Sequence, residues 1–143
     1  MSKDTDSLFS ELNKAKSETE LKSFYQRNAG QLTYPDPAAY LQHLFTEHQL
    51  EKADVIRNTG IERTFAYHLL SGAKKFTRDK LLIFAIAANL TVEETQTLLK
   101  YAGEGALYAR DPRDGAIIYA LNQKLSIDKT NEFLYRLALQ ELA

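Results

Sequence analysis

Apolar stripes of helical period, each opened by an oxygen-bearing side chain, run along this 143-residue chain. Such a side chain accepts hydrogen bonds from a helix's first free N–H groups, so its place before a periodic apolar segment marks a helix start. Nine helices are predicted. The first starts near Asp4 or Asp6, with Leu8, Phe9, Leu12 and Ala15 on one face. Ser17 and Glu20 form a capping-box pattern for the second, which carries Leu21, Phe24 and Tyr25 and stops at Gly30. Asp36 caps the third, with Pro37 at its first position, where the missing N–H costs nothing. Its stripe of Tyr40, Leu41, Leu44 and Phe45 runs to about His48. Helix four covers about Glu51 to Asn58, Thr59-Gly60-Ile61 follows, and helix five covers about Glu62 to Leu70 before Ser71-Gly72.

Thr77 caps helix six, Arg78 to Ala88, which is apolar almost all round and is therefore expected to be buried at the centre. Thr91 and Glu94 make a capping box for helix seven, with Val92, Leu98 and Leu99, ending near Gly103. Asp111-Pro112 repeats the cap-and-proline device for helix eight, with Ile117, Ile118 and Leu121. Ser126 caps helix nine, with Ile127, Phe133, Leu134, Leu137 and Leu139. No period-two alternation or hairpin dipeptide between apolar runs marks a strand, and Asp114-Gly115 lies inside a helical pattern. The expected fold class is all-α, in a single domain over 1–143, with an N-terminal helical flank (1–33), a core (34–103) and a C-terminal extension (104–143).

Apolar residues at 44% and charged residues at 26% are globular values, so the chain should bury a continuous core. The absence of cysteine excludes a disulfide framework, a thiolate nucleophile and cysteine-ligated zinc, and suits the cytoplasm. The opening residues MSKDTDSLFSELNK are acidic and serine-rich where a secretion signal would be basic and then apolar, so no leader is expected. Leu81 to Ala88, the longest apolar run, is far short of the roughly 20 residues of a membrane span.

The carboxylates are spread over caps and solvated faces, with no nucleophile pattern and no phosphate-cradling glycine loop, so neither an enzyme nor a cofactor is expected. Glu93-Glu94 reads as a capping pair. His43 and His48 point roughly 140° apart on one helix and cannot share a metal within it, so no metal site is expected. Leu107 to Asp114 concentrates two arginines, two aspartates and a tyrosine. It reads either as a capped, salt-bridged helix entry or as a contact surface for a partner.

Net charge is −1, but Leu50 to Lys80 holds seven bases against four acids, leaving +3 there and −4 elsewhere. Two short helices with a glycine between them, inside that basic segment, are the helix-turn-helix signature. Val55, Ile56, Ile61, Phe65 and Leu69 fall on inward faces, leaving Arg63, Thr64, Tyr67 and His68 outward. The stretch KADVIRNTGIERTFAYHLLSGAKKFTRDKLLIFAIAANLTVEETQTLL resembles the DNA-binding domain of Xre-type, lambda-repressor-like regulators. The resemblance covers residues 37 to about 102 and implies a lambda-repressor-like five-helix domain with extra N- and C-terminal helices. In that family the second and third helices form the helix-turn-helix and the third enters the major groove.

By the family's pattern Lys52, Glu62, Arg63, Thr64 and His68 hold DNA-facing positions, with Tyr67 beside them on the outward face. Arginine reads guanine O6 and N7, threonine a base edge or thymine methyl, and Glu62, a negative charge at the mouth of the groove, could accept from cytosine N4 or simply repel phosphates. Lys74, Lys75 and Arg78 suit phosphate positioning. The sequence departs from the family at Ile56, usually a small alanine, and at Leu70, usually an acid or polar residue. The leading expectation is a sequence-specific protein for double-stranded DNA, a transcriptional regulator whose flanking helices dimerise or recruit a protein partner. The alternative is a protein-interaction module that keeps the helix-turn-helix only as a scaffold.

Overall fold

The computed structural model describes residues 4–28 and 34–143. Among them all regular structure is helical, in nine helices. The chain divides into two compact units, Met1–Tyr34 and Pro35–Ala143.

In the first unit α1 (Thr5–Asn13) packs on α2 (Glu18–Arg27). Asp4 caps α1, its Oδ1 accepting from the Ser7 N–H at 2.7 Å. Ser17 caps α2 by accepting from the Glu20 N–H at 3.1 Å. Glu20 reaches back to the Lys16 N–H, one residue before the cap, so the expected box closes on Lys16 instead of Ser17. The helix ends at Arg27 with Asn28 as its cap, and Gly30, the expected stop, lies outside the described residues. Asn28 is buried, and its amide donates to the Glu11 carboxylate at 2.9 Å and the Phe24 carbonyl at 3.0 Å. Along the expected stripes Phe9, Leu12 and Tyr25 stay exposed.

The second unit comprises α3 (Pro37–Glu47), α4 (Lys52–Thr59), α5 (Arg63–Ser71), α6 (Arg78–Ala87), α7 (Val92–Tyr101), α8 (Pro112–Gln123) and α9 (Ile127–Arg136). Every residue from Leu81 to Ala88 is buried, because α4, α7, α8 and α9 all pack against α6. Phe84 is fully buried and meets Phe76 edge-on, ring centroids 5.5 Å apart. On the other side of α5 and α7 lies α3, whose Gln42 amide donates to the Leu70 carbonyl at 2.7 Å and so holds the last turn of α5.

The starts follow the local chemistry: Asp36, Thr77, Asp111 and Ser126 cap their helices, and Thr91 and Glu94 close a full capping box. The ends use a device the sequence reading passed over. Gln49, Asn89, Lys124 and Ala138 all take positive φ, between 54° and 59°, and each is followed by a leucine. The N–H groups of Leu50, Leu90, Leu125 and Leu139 return to the carbonyls of Phe45, Ala85, Ala120 and Leu134 at 2.7 to 3.0 Å. This six-to-one bond ends the helix, and the leucine covers the helix it has just left. For that reason α9 stops at Arg136, and Leu137 and Leu139, expected inside helix nine, lie beyond it. Among the described residues, no helix is long and apolar enough to cross a membrane.

Candidate functional site

Residues 60–62 join α4 to α5. Gly60 sits at φ 70°, a left-handed conformation that costs an L side chain roughly 1 to 2 kcal/mol. Thr59, 3% exposed, pins the turn from inside: its hydroxyl donates to the Ile56 carbonyl at 2.6 Å and accepts from the Ile61 N–H at 3.1 Å. Val55 and Ile56 on α4 and Ala66, Leu69 and Leu70 on α5 are all buried. Ile56 and Leu70, the two departures from the family pattern, are therefore core residues here, and their added volume faces inward.

Glu62, expected at a DNA-facing position, is exposed and is the N-cap of α5. Its carboxylate accepts from the Phe65 N–H at 2.8 Å and the Thr64 N–H at 3.1 Å. Those bonds to Phe65 and Thr64, with the nearby charge of His68, hold its carboxyl below the usual glutamate range. The negative charge sits at the positive end of the helix dipole and supports the helix start.

Beyond that cap, Arg63, Thr64, Tyr67 and His68 fall within an arc of about 140° on α5, at about 100° per residue, with Arg63 over Tyr67 and Thr64 over His68 as neighbours four apart. Arg63, Thr64 and His68 are exposed and Tyr67 is half-buried. The Arg63 guanidinium lies 5.9 Å from the centre of the Tyr67 ring, so the tyrosine lends the arginine a platform. Both line a cleft of about 400 Å³ against Ala53, Arg57 and Ile61. Lys52, half-buried, opens α4. Gly72 at φ 83° closes α5 and releases the chain into a loop where Lys74 and Lys75 are both exposed.

Arg78 does not join this face. Its guanidinium forms a two-pronged pair with the Asp114 carboxylate, at 3.1 and 3.3 Å, and donates to the Gly105 and Ala106 carbonyls at 3.2 and 3.4 Å. The neighbouring residues make the reciprocal pair, with Arg113 donating to both Asp79 oxygens at 2.8 and 3.0 Å. Two Arg-Asp dipeptides, one at the start of α6 and one at the start of α8, thus exchange partners. Where a phosphate contact was expected, Arg78 has a structural role, with Nε, Nη1 and Nη2 all donating within the unit. Leu107 to Asp114 accordingly forms a capped, salt-bridged helix entry, with buried Asp114 also accepting from the Tyr108 N–H at 3.0 Å.

Two features near the face were not singled out from sequence. Arg57 on α4 pairs with Asp54 and borders the α4–α5 cleft. The Lys80 ammonium lies 6.0 Å from the centre of the Phe65 ring, a contact between helices that no local spacing announces. His43 pairs with Glu47 at 3.0 Å and His48 with Glu94 at 2.7 Å. Among the described residues no cluster of histidine, aspartate and glutamate could hold a metal. What the site offers is an exposed helix face with a cation, a hydroxyl and an imidazole, rimmed by two free-standing lysines and held rigidly from behind. No family model, no curated protein and no solved structure matches this chain.

Proposed function

We propose that the chain binds double-stranded DNA sequence-specifically, as a transcriptional regulator of the lambda-repressor-like, Xre type, with α5 as its recognition helix. The observation that carries the reading is the α5 face. Arg63, Thr64 and His68 stand exposed on a helix that packs on α4 and α3, with Ala66 and Leu69 buried and the Gln42 amide of α3 on the Leu70 carbonyl. A major groove about 12 Å wide admits one helix, and exposed side chains on its first two turns reach base edges. Lys74 and Lys75, just beyond the helix end, suit phosphates on the groove's rim. The succession α3 to α7, with α4 and α5 around Gly60, follows the order the family uses.

Selection from a random duplex library with the purified chain tests this. A consensus should emerge, and its affinity should fall with log salt at a slope of about −0.9 per phosphate contact. Recovery of no preferred sequence at low salt would overturn the reading.

A second reading, an interaction module that keeps the fold as scaffold, is favoured by the surface of α8 and α9. There Tyr119 stacks on Phe133 at 5.1 Å, and Tyr119 and Tyr135 are 49% and 75% exposed. Aromatic side chains of this kind are enriched in protein interfaces.

A further inference from the structure

The cleft between α4 and α5 is bordered by two helix edges. Ala53 and Arg57, four residues apart, form the edge of α4, and Arg63 and Tyr67, again four apart, form the edge of α5. The buried Ile56 and the half-buried Ile61 complete its lining. A space of about 400 Å³ stays open, because Ala53 and Gly60 on its border carry almost no side chain.

Two arginines and one carboxylate set the charge there. Arg57 pairs with Asp54, three residues before it, at side-chain exposures of 66% and 61%. An ion pair this exposed contributes little to stability, so an incoming anion can take the place of the aspartate at small cost. Glu62, the other acid close by in sequence, is turned onto the N–H groups of α5. Arg57, Arg63 and Asp54 together carry +1, which matches the single negative charge of one phosphodiester.

The position of the cleft relative to the reading helix points the same way. At about 100° per residue the outward arc of α5 runs Arg63, Tyr67, Thr64, His68, and the cleft places its Arg63–Tyr67 margin beside α4. A helix lying in the major groove has a phosphate strand along each flank. On the α4 flank Arg57 is the exposed cation beside that margin, Lys52 being half-buried.

We propose that the α4–α5 cleft seats one backbone phosphodiester of the bound duplex, gripped by Arg57. The inference rests on the DNA-binding reading of α5. The Arg57 guanidinium exchanges Asp54 for two phosphate oxygens, a charge-assisted pairing that suits its planar fork, and the Tyr67 ring walls the site. Such a contact carries no base preference; it fixes the register of α5 in the groove and leaves Arg63 for a base edge.

The test uses the full chain and the duplex it selects, with each backbone phosphate in turn replaced by an uncharged methylphosphonate. Replacement at one position should weaken binding by the wild type and leave binding by Arg57→Ala unchanged. The same variant should lose affinity by one common factor on the selected and an unrelated duplex, and its salt slope should be smaller by about one. Arg57→Lys keeps the charge and should keep the slope. Asp54→Asn should tighten binding by the wild type more than binding by Arg57→Ala, since part of its effect is to free Arg57. These side chains are exposed, so the variants should melt with the wild type. A selected duplex that Arg57→Ala binds with an unchanged slope, or an identical methylphosphonate profile for the two proteins, overturns the phosphate site and leaves the DNA reading standing. Relaxed choice at one base position in Arg57→Ala overturns it as well, because Arg57 would then be reading a base. Selection of no duplex by the wild type overturns the DNA reading and the phosphate site with it.

Discussion

The arginines at three helix starts of the second unit show how differently one residue type is used. At the start of α5, Arg63 stands over Tyr67 with no carboxylate within ion-pair reach among the described residues. At the starts of α6 and α8, Arg78 and Arg113 are each gripped by the other helix's aspartate and by two carbonyls. The difference lies in the neighbouring residue. Arg78 and Arg113 are each followed by an aspartate, so two helix starts that meet can trade partners, whereas Arg63 is followed by Thr64 and preceded by a glutamate already taken up by the helix N-terminus. One region is built to hold, the other to present.

Both regions connect to α6, the starts of α6 and α8 directly and α5 through α4, so the largest effect should come from hollowing that helix. Phe84→Ala leaves a cavity behind Phe76 and should cost about 3 to 5 kcal/mol in denaturant melts. A loss well below about 1 kcal/mol would mean that the presenting and holding regions stand independently.

Next in size is the clasp itself. Arg113→Ala strips donors from Asp79 and from the Gln140 and Glu141 carbonyls. Side-chain exposures of 20% and 25% place the Arg113–Asp79 pair short of full burial, so about 2 to 3 kcal/mol is expected, below the cost of breaking a wholly buried pair. Arg63→Ala, by contrast, should barely move the melting midpoint, because an exposed side chain with one aromatic contact contributes little. Equal losses from the two would erase the distinction between holding and presenting.

The DNA reading sharpens the same contrast on a smaller scale. Arg63→Ala should lose about 1 to 3 kcal/mol on the preferred site and relax selection at one base position. Lys74→Ala should weaken all sequences alike and lower the salt slope by about one. If both variants lose affinity uniformly, α5 is not reading bases. If neither changes it, DNA is not the ligand of this face.

Local chemistry was what the sequence carried best. Asp36-Pro37, Thr77, Thr91 with Glu94, Asp111-Pro112 and Ser126 mark true starts because a cap acts within three residues of itself. The ends were harder: glycine was taken as the stop signal, yet Gln49, Asn89, Lys124 and Ala138 also stop helices, each with a leucine next in line. Glutamine, asparagine, lysine and alanine share no chemistry that marks a stop, and a residue before leucine also occurs inside helices, as at His68-Leu69, so these ends show only in the backbone. At the candidate site, the exposure of Arg63, Thr64 and His68 followed from helical period alone. The fate of Arg78 did not, since Asp114 lies 36 residues away and only the packing of α8 on α6 brings it close. The capping role of Glu62 was not singled out, since the usual N-caps are Ser, Thr, Asp and Asn.

The smallest effect should appear in acid, and it belongs to the holding region. Burial pushes the Asp79 carboxyl up, but hydrogen bonds from Arg113 and the Ala143 N–H, with the charges of Arg113 and Arg78, outweigh it and hold Asp79 below the usual aspartate range. A carboxyl depressed in the folded chain binds its proton more readily when unfolded. Its contribution is thus complete above the unfolded value near 3.8 and is lost as pH falls through the lower folded value. Glu94 adds to the same window: burial raises it, and the Thr91 N–H and His48 more than offset that. On the α5 face Glu62 is depressed as well, but chiefly by the Phe65 and Thr64 N–H groups, the charge of His68 being the smallest cause. Because Asp79 is partly solvated, its titration should be worth only about 0.2 to 1 kcal/mol. Urea melts from about pH 6 down to pH 3 should therefore show a wild-type advantage over Asp79→Asn that is constant at the upper end and narrows below about pH 4. An advantage that stays constant to the lowest pH would mean that Asp79 holds the clasp by hydrogen bonding alone, with no contribution from its charge.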